Sequence, residues 1–197
     1  MQTPETDQTV RHPLAPVYSS ALDMIGNTPM LELRKLDTGP CRLFAKLELM
    51  NPAGSIKDRI GLSMIEVAEA DGRLDPKGSP RPTIIEATAG NTGIGLALVA
   101  SQRGYALKVV MPDKMSQEKI MHLRAMGAEV VLTRSDVQQG HPEYYHQVAE
   151  RLAEETPNSV YVNQFVNEAN VSAHETGTGP EMWHQIVEAT SGGKVDA

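Results

Sequence analysis

From Thr83 onward, short apolar segments alternate with amphipathic ones, and the connections between them are short. Apolar runs bounded by turn residues are typical of buried strands, and apolar residues spaced i, i+3, i+4, i+7 are typical of helices. The predicted elements are a strand over 83–88, a helix over 91–103, a strand over 107–111, a helix from a Ser116 cap to 126, a strand over 129–133, a helix opening at Pro142, a strand over 160–163 and a helix from about 180 to 189. This alternation predicts an α/β fold with right-handed βαβ units and a parallel sheet covered by helices on both faces.

The first part of the chain is less regular. Its predicted elements are strands over 30–33 and 43–49, a helix over 57–70 and a proline-rich loop over 75–82. The N-terminus is polar and contains prolines, so we expect residues 1–20 to form a disordered tail rather than a signal peptide. Residues 192–197 look like the approach to a strand, and we expect this chain to be the front portion of a longer protein.

The composition of the chain limits the kinds of molecule that it is expected to bind. The net charge of -7 provides no basic surface for nucleic acid or anionic membranes, and no apolar run reaches the ~20 residues that span a bilayer. The single cysteine, Cys41, excludes an internal disulfide and suits a reducing compartment. His141 and His146 are five residues apart, which misses one helix face, and no metal-ligand pattern is completed. We therefore expect a soluble, cytoplasmic protein without a metal site.

The most informative candidate residue is Lys57, which follows a glycine-serine turn and opens a predicted helix. The positive end of the helix dipole disfavours an ordinary ammonium there but suits an amine that must lose its proton and attack a carbonyl. Turning a free lysine into a nucleophile near neutral pH takes about 4 kcal/mol, and the dipole supplies only about 0.3–1 kcal/mol, so burial must supply most of it. The alternative is a solvated lysine beside Asp58.

A second candidate is the glycine-rich turn Thr88-Ala-Gly-Asn-Thr-Gly93, at the carboxyl end of a predicted strand. Ligands bind at this edge of open α/β sheets, and the free N–H groups of the following helix favour an anion. The order G-x-x-G-x-G reverses the dinucleotide pattern, which argues against nicotinamide binding even though Asp113 lies about 20 residues further on. Asn91 and the hydroxyls of Thr88 and Thr92 suit a small carboxylate and a phenol-like oxygen.

Gln164 follows the strand predicted over 160–163, and parallel strands end at the same edge of a sheet. We therefore expect it to lie near Thr88 and to share an anion site, although a strand-end glutamine can also be a simple loop hydrogen-bonder.

Five segments in order resemble the cysteine synthase and cystathionine β-synthase family of fold-type-II pyridoxal-phosphate enzymes. They are Ile25-Gly-Asn-Thr-Pro-Met30, Asn51-Pro-Ala-Gly-Ser-Ile-Lys-Asp-Arg59, Ile84-Ile-Glu-Ala-Thr-Ala-Gly-Asn-Thr-Gly-Ile-Gly-Leu96, Asn163-Gln-Phe165 and Thr178-Gly-Pro-Glu-Met-Trp183. The resemblance runs from about Leu22 to the C-terminus. It implies a three-layer αβα fold like that of the tryptophan synthase β chain, with a second domain that is incomplete here.

The resemblance also implies roles for single residues. Lys57 would form the Schiff base with pyridoxal 5'-phosphate and move the substrate α-proton, and Asn91 would bond the cofactor's 3′ oxygen. The residues that would hold the substrate carboxylate are Thr88, Gly90, Thr92 and Gln164. The implied reaction is β-replacement on O-acetylserine or serine by sulfide or a thiol, giving cysteine or cystathionine. The full-length enzyme would be a homodimer.

Two departures from the family pattern qualify these expectations. Ala89 stands where many relatives have serine, which predicts altered carboxylate binding rather than its loss. The family's glycine-rich phosphate loop would follow Ala197, so we expect this chain alone to bind cofactor weakly and turn over little. The expected domains are residues 21–57 with 175–197, a partial large domain, and 58–174, a small α/β domain. An inactive binding or regulatory fragment and a threonine dehydratase-like lyase remain as alternatives.

Overall fold

A computed structural model describes residues 16–190 and Val195. Most of the tail predicted over residues 1–20, and most of the strand approach predicted over 192–197, lie outside the described residues. The strands are β1 (Met30–Glu32), β2 (Phe44–Lys46), β3 (Thr83–Ala87), β4 (Ala106–Pro112), β5 (Glu129–Thr133) and β6 (Ser159–Tyr161). The α-helices are α1 (Lys57–Ala70), α2 (Asn91–Arg103), α3 (Gln117–Ala125), α4 (Tyr145–Glu155), α5 (Glu168–Ala173) and α6 (Gly179–Ala189). Single helical turns are formed by Ala21–Met24, Glu48–Met50 and His174–Thr178.

Four strands form a parallel sheet in the order β5-β4-β3-β6. Neighbouring residues of β3 point to opposite faces, as the two-residue period of a strand requires. Ile84 belongs to the larger core, which includes Ile60 of α1 and Leu96 of α2, and Ile85 belongs to a smaller core with Ala149 of α4. Helices therefore cover both faces of the sheet, which confirms the predicted three-layer α/β fold.

Local backbone conformation and capping fix the end of α2 and the start of α3. Helix α2 ends at Gly104, whose φ of +72° lies in the left-handed region that glycine adopts without a Cβ clash. Helix α3 begins after Ser116, whose hydroxyl accepts a hydrogen bond from the Lys119 N–H at 3.3 Å. Both features confirm the predicted boundaries.

The predicted start of α4 at Pro142 is wrong by three residues. Residues 138–144 instead form turns, in which the N–H of Tyr144 donates to the carbonyl of His141 at 2.9 Å. Tyr144 has extended φ and ψ angles, so the first helical residue is Tyr145. A proline suits the first turn of a helix, but it suits a preceding turn equally well.

The predicted strand over 43–49 is too long, because only Phe44–Lys46 is extended. The chain then turns at Glu48–Met50, where the Asn51 side-chain amide donates to both the carbonyl and the carboxylate of Glu48 at 2.9 Å. The strand predicted over 160–163 also ends early, at Tyr161. Asn163 has a φ of +48°, a left-handed conformation that asparagine tolerates better than most residues and that stops the strand.

Strands β1 and β2 form a separate antiparallel hairpin that packs beside α6. Lys46 at the end of β2 donates to the carbonyl of Thr28 at 2.7 Å and to the side chain of Gln185 on α6 at 2.8 Å. The hairpin and α6 therefore pack against each other.

Candidate active site

Residues 51–56 form a turn that places Lys57 at the first position of α1. Asn51 is buried, and its side-chain oxygen accepts from the Gly26 N–H at 2.8 Å, which joins the turn to the segment before β1. The Ser55 hydroxyl accepts from the Lys57 N–H at 3.1 Å and satisfies one N–H group at the helix start.

The side chain of Asp58 also stabilises this turn. Its side chain is fully buried, and its Oδ2 accepts from the Ala53 N–H at 2.6 Å. Burial raises the pKa of the Asp58 carboxyl, against the effect of that hydrogen bond. Because this carboxylate points into the turn, it does not pair with Lys57. Lys57 is half-buried, and its Nζ has no hydrogen-bond or ion-pair partner among the residues that the structure describes.

Two glycines let α1 and α2 approach backbone to backbone. A Cβ atom on Gly95 would lie 2.6 Å from the Lys57 carbonyl oxygen, and one on Gly61 would lie 2.9 Å from the Gly95 carbonyl carbon. Neither position can therefore accept a side chain without movement of a helix. Asn91 lies one turn before Gly95 on the same face of α2, so this contact sets the start of α1 beside the start of α2.

The turn between β3 and α2 is built to receive a polar group. The N–H of Gly90 donates to the Thr88 hydroxyl at 3.2 Å, and Gly90, as the residue before α2, offers no side-chain cap. The first turn of α2 also carries no acidic residue. Its N–H groups and the positive end of its dipole therefore form an uncapped site for an anion. Asn91 opens the helix with its side chain exposed.

Gln164 lies at this edge of the sheet, as the sequence predicts. Its side-chain oxygen accepts from the Thr92 hydroxyl at 2.5 Å, and its Nε2 donates to the Glu86 carboxylate at 3.2 Å. All three side chains are buried. Burial raises the pKa of Glu86 to about 7, and the hydrogen bonds from Gln164 oppose that rise. Asn170 of α5 holds the Gln164 carbonyl at 2.9 Å.

His174 lies in the single π-helical turn between α5 and α6, near enough to Lys57 for its pKa to be affected by the lysine charge. Burial lowers the pKa of His174, and the charges of Lys57 and Arg59 lower it further. Its Nδ1 lies 3.0 Å from the Thr178 hydroxyl. The sequence predicted no role for this histidine.

An ion cluster behind the turn holds the surrounding segments together. The buried guanidinium of Arg59 pairs with Glu48 and with Glu181 of α6, each at 2.7 Å. Burial favours a raised pKa for Glu181, but the hydrogen bonds from Arg59 and Lys46 outweigh it and lower the pKa to about 2. Glu181 also accepts from the Asn27 N–H at 2.9 Å. These contacts tie α6 to α1 and to the segment before β1.

The structure thus groups the predicted site residues at the carboxyl edge of the sheet. Contacts join Thr88 to Gly90 and Thr92 to Gln164, and the helix crossing brings in Lys57 and Asn91; these are the residues Lys57, Thr88, Gly90, Asn91, Thr92 and Gln164. Lys57, whose amine has no partner among the described residues, opens a helix that packs against the uncapped helix α2, and this arrangement fits a cofactor that carries both an aldehyde and anionic groups. The sequence predicts no role for two residues of this region, Glu86 and His174. An acid inside an otherwise apolar strand was the available signal for Glu86, and no pattern marks His174.

Two other kinds of site are not found in the part of the chain that the structure describes. No cluster of three or more histidine, cysteine, aspartate or glutamate side chains could hold a metal ion there. Within the same residues, every helix is too short or too polar to cross a membrane.

Two solved structures of enzymes resemble this fold. A hydrogen sulfide-producing enzyme from Fusobacterium nucleatum aligns with a TM-score of 0.79 and 41% identity, over 89% of this chain and 55% of its own. O-ureido-L-serine synthase aligns with a TM-score of 0.80 and 37% identity, over 92% of this chain and 54% of its own.

Proteins of similar sequence are also named as enzymes. The chain is 45% identical over 170 residues to cystathionine beta-synthase of Saccharomyces cerevisiae, covering 85% of this chain and 33% of the relative. It is 49% identical over 175 residues to cysteine synthase 1 of Neurospora crassa, covering 88% of this chain and 44% of the relative. The chain therefore spans less than half the length of these relatives. The pattern of the family described as "Pyridoxal-phosphate dependent enzyme" matches residues 21–197. This chain belongs to the family of pyridoxal-phosphate-dependent enzymes.

Proposed function

We propose that the chain carries the reactive lysine and the substrate-carboxylate site of a β-replacing enzyme. The reaction joins O-acetylserine or serine to sulfide or a thiol and yields cysteine or cystathionine. The observation that carries the proposal is that Lys57, whose Nζ has no partner among residues 16–190, opens a helix that packs against the uncapped helix α2. The similarity to proteins named cystathionine beta-synthase and cysteine synthase supports it.

When bound, pyridoxal phosphate supplies an aldehyde that condenses with amines and a ring that withdraws electrons from the substrate Cα. Lys57 would hold the cofactor aldehyde through its amine and would move the proton at the substrate Cα. The helix crossing at Gly61 and Gly95 fixes the origin of this side chain. Asn91, exposed at the first position of α2, would donate through its side-chain amide to the 3′ oxygen of the cofactor.

The substrate carboxylate occupies the start of α2. The hydroxyls of Thr88 and Thr92, the backbone of Gly90 and the amide of Gln164 surround that position. Holding the carboxylate here fixes the orientation of the substrate Cα relative to Lys57, which is the main contribution that positioning makes to rate. Ala89 offers only its backbone, so this chain has one hydroxyl fewer than a serine at that position would give.

The division into two domains is also a proposal. The parallel sheet and helices α2 to α5 lie within residues 58–174, as does α1 except for its first residue, Lys57. The β1–β2 hairpin instead contacts α6 through Lys46, Gln185 and Glu181. These contacts support a unit that combines residues 21–57 with 175–197. We further propose that the full-length enzyme acts as a homodimer in the cytoplasm.

Product analysis tests the proposal. The purified chain, supplied with pyridoxal phosphate, receives O-acetylserine or serine together with sulfide or homocysteine, and mass spectrometry detects cysteine or cystathionine. We expect slow formation of one of these products and none with the Lys57→Ala variant. Ammonia and a keto acid as the main products would instead indicate a threonine dehydratase-like lyase. If no product forms in any mixture, the chain by itself is not a β-replacing catalyst.

A further inference from the structure

Glu86 is a completely buried carboxyl group in β3, two residues before Thr88. Its Oε1 accepts from the Gln164 side-chain amide at 3.2 Å and from the Gln164 N–H at 3.5 Å. Its Oε2 has no hydrogen-bond partner among the described residues. The charge of Glu86 raises the pKa of two nearby hydroxyls, those of Tyr145 on α4 and Tyr161 on β6. No cationic side chain of the described residues pairs with Glu86.

The Gln164 amide must satisfy two neighbours at once. One end of an amide only donates and the other only accepts, and an ionised carboxylate only accepts. An ionised Glu86 therefore requires the NH₂ group of Gln164 to face it, as observed. The amide oxygen then faces Thr92 and takes the proton of its hydroxyl, again as observed.

This arrangement leaves few donors for a substrate carboxylate, which itself only accepts. The Thr92 proton is engaged with Gln164, and one proton of the Gln164 NH₂ group is engaged with Glu86. A protonated Glu86 permits the opposite arrangement, because its own O–H can donate to the Gln164 oxygen. The amide then rotates by half a turn, its NH₂ group donates to the Thr92 oxygen, and the Thr92 proton is free to bond the carboxylate.

We propose that Glu86 is a positioning residue whose proton sets the orientation of the Gln164 amide, and thereby the number of donors that Thr92 and Gln164 present to the substrate carboxylate. The proton comes from solvent and forms an O–H bond on Glu86. No other covalent bond changes. The inference rests on the proposed function only in naming the substrate as an amino acid whose carboxylate binds at the start of α2.

Nuclear magnetic resonance of the cofactor-free, ¹⁵N-labelled chain tests the first half of the proposal. The side-chain amide signals of Gln164, assigned with the Gln164→Glu variant, should shift with pH around a midpoint of about 7. In the Glu86→Gln variant the same signals should show no midpoint there. Signals of the unmodified chain that stay constant from about pH 5.5 to 8.5 would overturn the proposal, and this result does not depend on cofactor binding or catalysis.

The second half is tested with L-alanine, which has the amino and carboxylate groups of the substrate but no β-substituent to lose. Binding to the chain loaded with pyridoxal phosphate is followed by absorbance. The affinity relative to that of Glu86→Gln should fall about tenfold for each pH unit above the midpoint, because only the protonated fraction binds well. Glu69→Gln makes the same chemical change at a half-buried carboxyl near the far end of α1 and should keep the unmodified profile. Equal pH profiles for Glu86→Gln and the unmodified chain would overturn the proposal.

Discussion

The contact between α1 and α2 makes the Gly95→Ala substitution a sharp test of how Lys57 is positioned. The added Cβ would lie 2.6 Å from the Lys57 carbonyl oxygen and 2.9 Å from its carbonyl carbon, where ordinary contacts begin at 3.4 Å. Both of those atoms belong to the backbone, so no side chain can turn aside to relieve the clash. The start of α1 must therefore move away from α2 by close to 1 Å.

The magnitude follows from two opposing effects. Overpacking of a tight contact costs about 1–3 kcal/mol, and replacing a helical glycine by alanine returns up to about 1 kcal/mol. Because the clash is between backbones, we expect the upper part of that range and a net loss of about 2 kcal/mol in the free energy of unfolding. A displacement of 1 Å in a reactive group can cost about 100-fold in rate. Capture of pyridoxal phosphate by Lys57 should therefore slow by one to two orders of magnitude.

Two assays measure these effects separately. Urea unfolding gives the free energy, and borohydride trapping at short times gives the rate at which Lys57 captures the cofactor. Gly177→Ala is the matched control, because its Cβ would meet nothing nearer than 3.7 Å and its backbone needs no positive φ. That variant should stay close to the unmodified chain in both assays. A Gly95→Ala chain with unchanged stability and unchanged capture would show that the crossing does not position Lys57.

Three further substitutions have expected outcomes. Arg59→Met should lower the free energy of unfolding in urea by about 2–3 kcal/mol, because it leaves the half-buried carboxylate of Glu48 without an ion pair and Glu181 with Lys46 alone. Arg34→Met at an exposed site should change it by less than about 0.5 kcal/mol, and equal effects would contradict the role of the ion cluster. Folding raises the pKa of Glu86 from 4.5 to about 7. The free energy of unfolding of the unmodified chain should therefore fall by about 3 kcal/mol relative to that of Glu86→Gln as the pH rises from 4.5 to about 7, and should not fall at pH values below this range. Parallel curves of stability against pH for the two chains would contradict this. Ala89→Ser should tighten L-alanine binding to the loaded chain about fivefold by adding a hydroxyl donor, and unchanged affinity would place the carboxylate elsewhere.

The sequence predicts an element to the residue where its ends depend on local chemistry. Helix α2 begins at Asn91 and ends before Gly104 as predicted, because a glycine in the left-handed conformation terminates it. The prediction fails where contacts distant in sequence decide the conformation. The turn at Glu48–Met50 forms because Glu48 bonds Asn51, Thr28 and Arg59, and this network is invisible in an apolar run.

In the candidate site too, local motifs are predictable from the sequence and contacts between distant residues are not. Lys57 and the turn from Thr88 are recognisable because glycines and hydroxyls surround them in a compact motif. The pairing of Thr92 with Gln164 follows from the parallel sheet, since both lie where strands end at one edge. The bond from Gln164 to Glu86 could not be predicted, because it depends on the left-handed turn at Asn163.

The location of the captured cofactor tests the central claim most directly. The purified chain is incubated with pyridoxal phosphate, reduced with borohydride and digested, and mass spectrometry maps the pyridoxyl group on its lysines. Lys57 is half-buried, has no side-chain partner in the part of the chain that the structure describes, and opens a helix that packs against α2, so we expect a mark on the peptide that contains Lys57, in excess over the marks on every other lysine. An equal distribution over exposed lysines such as Lys114, or no mark at all, would contradict the assignment of Lys57 as the residue that binds the cofactor.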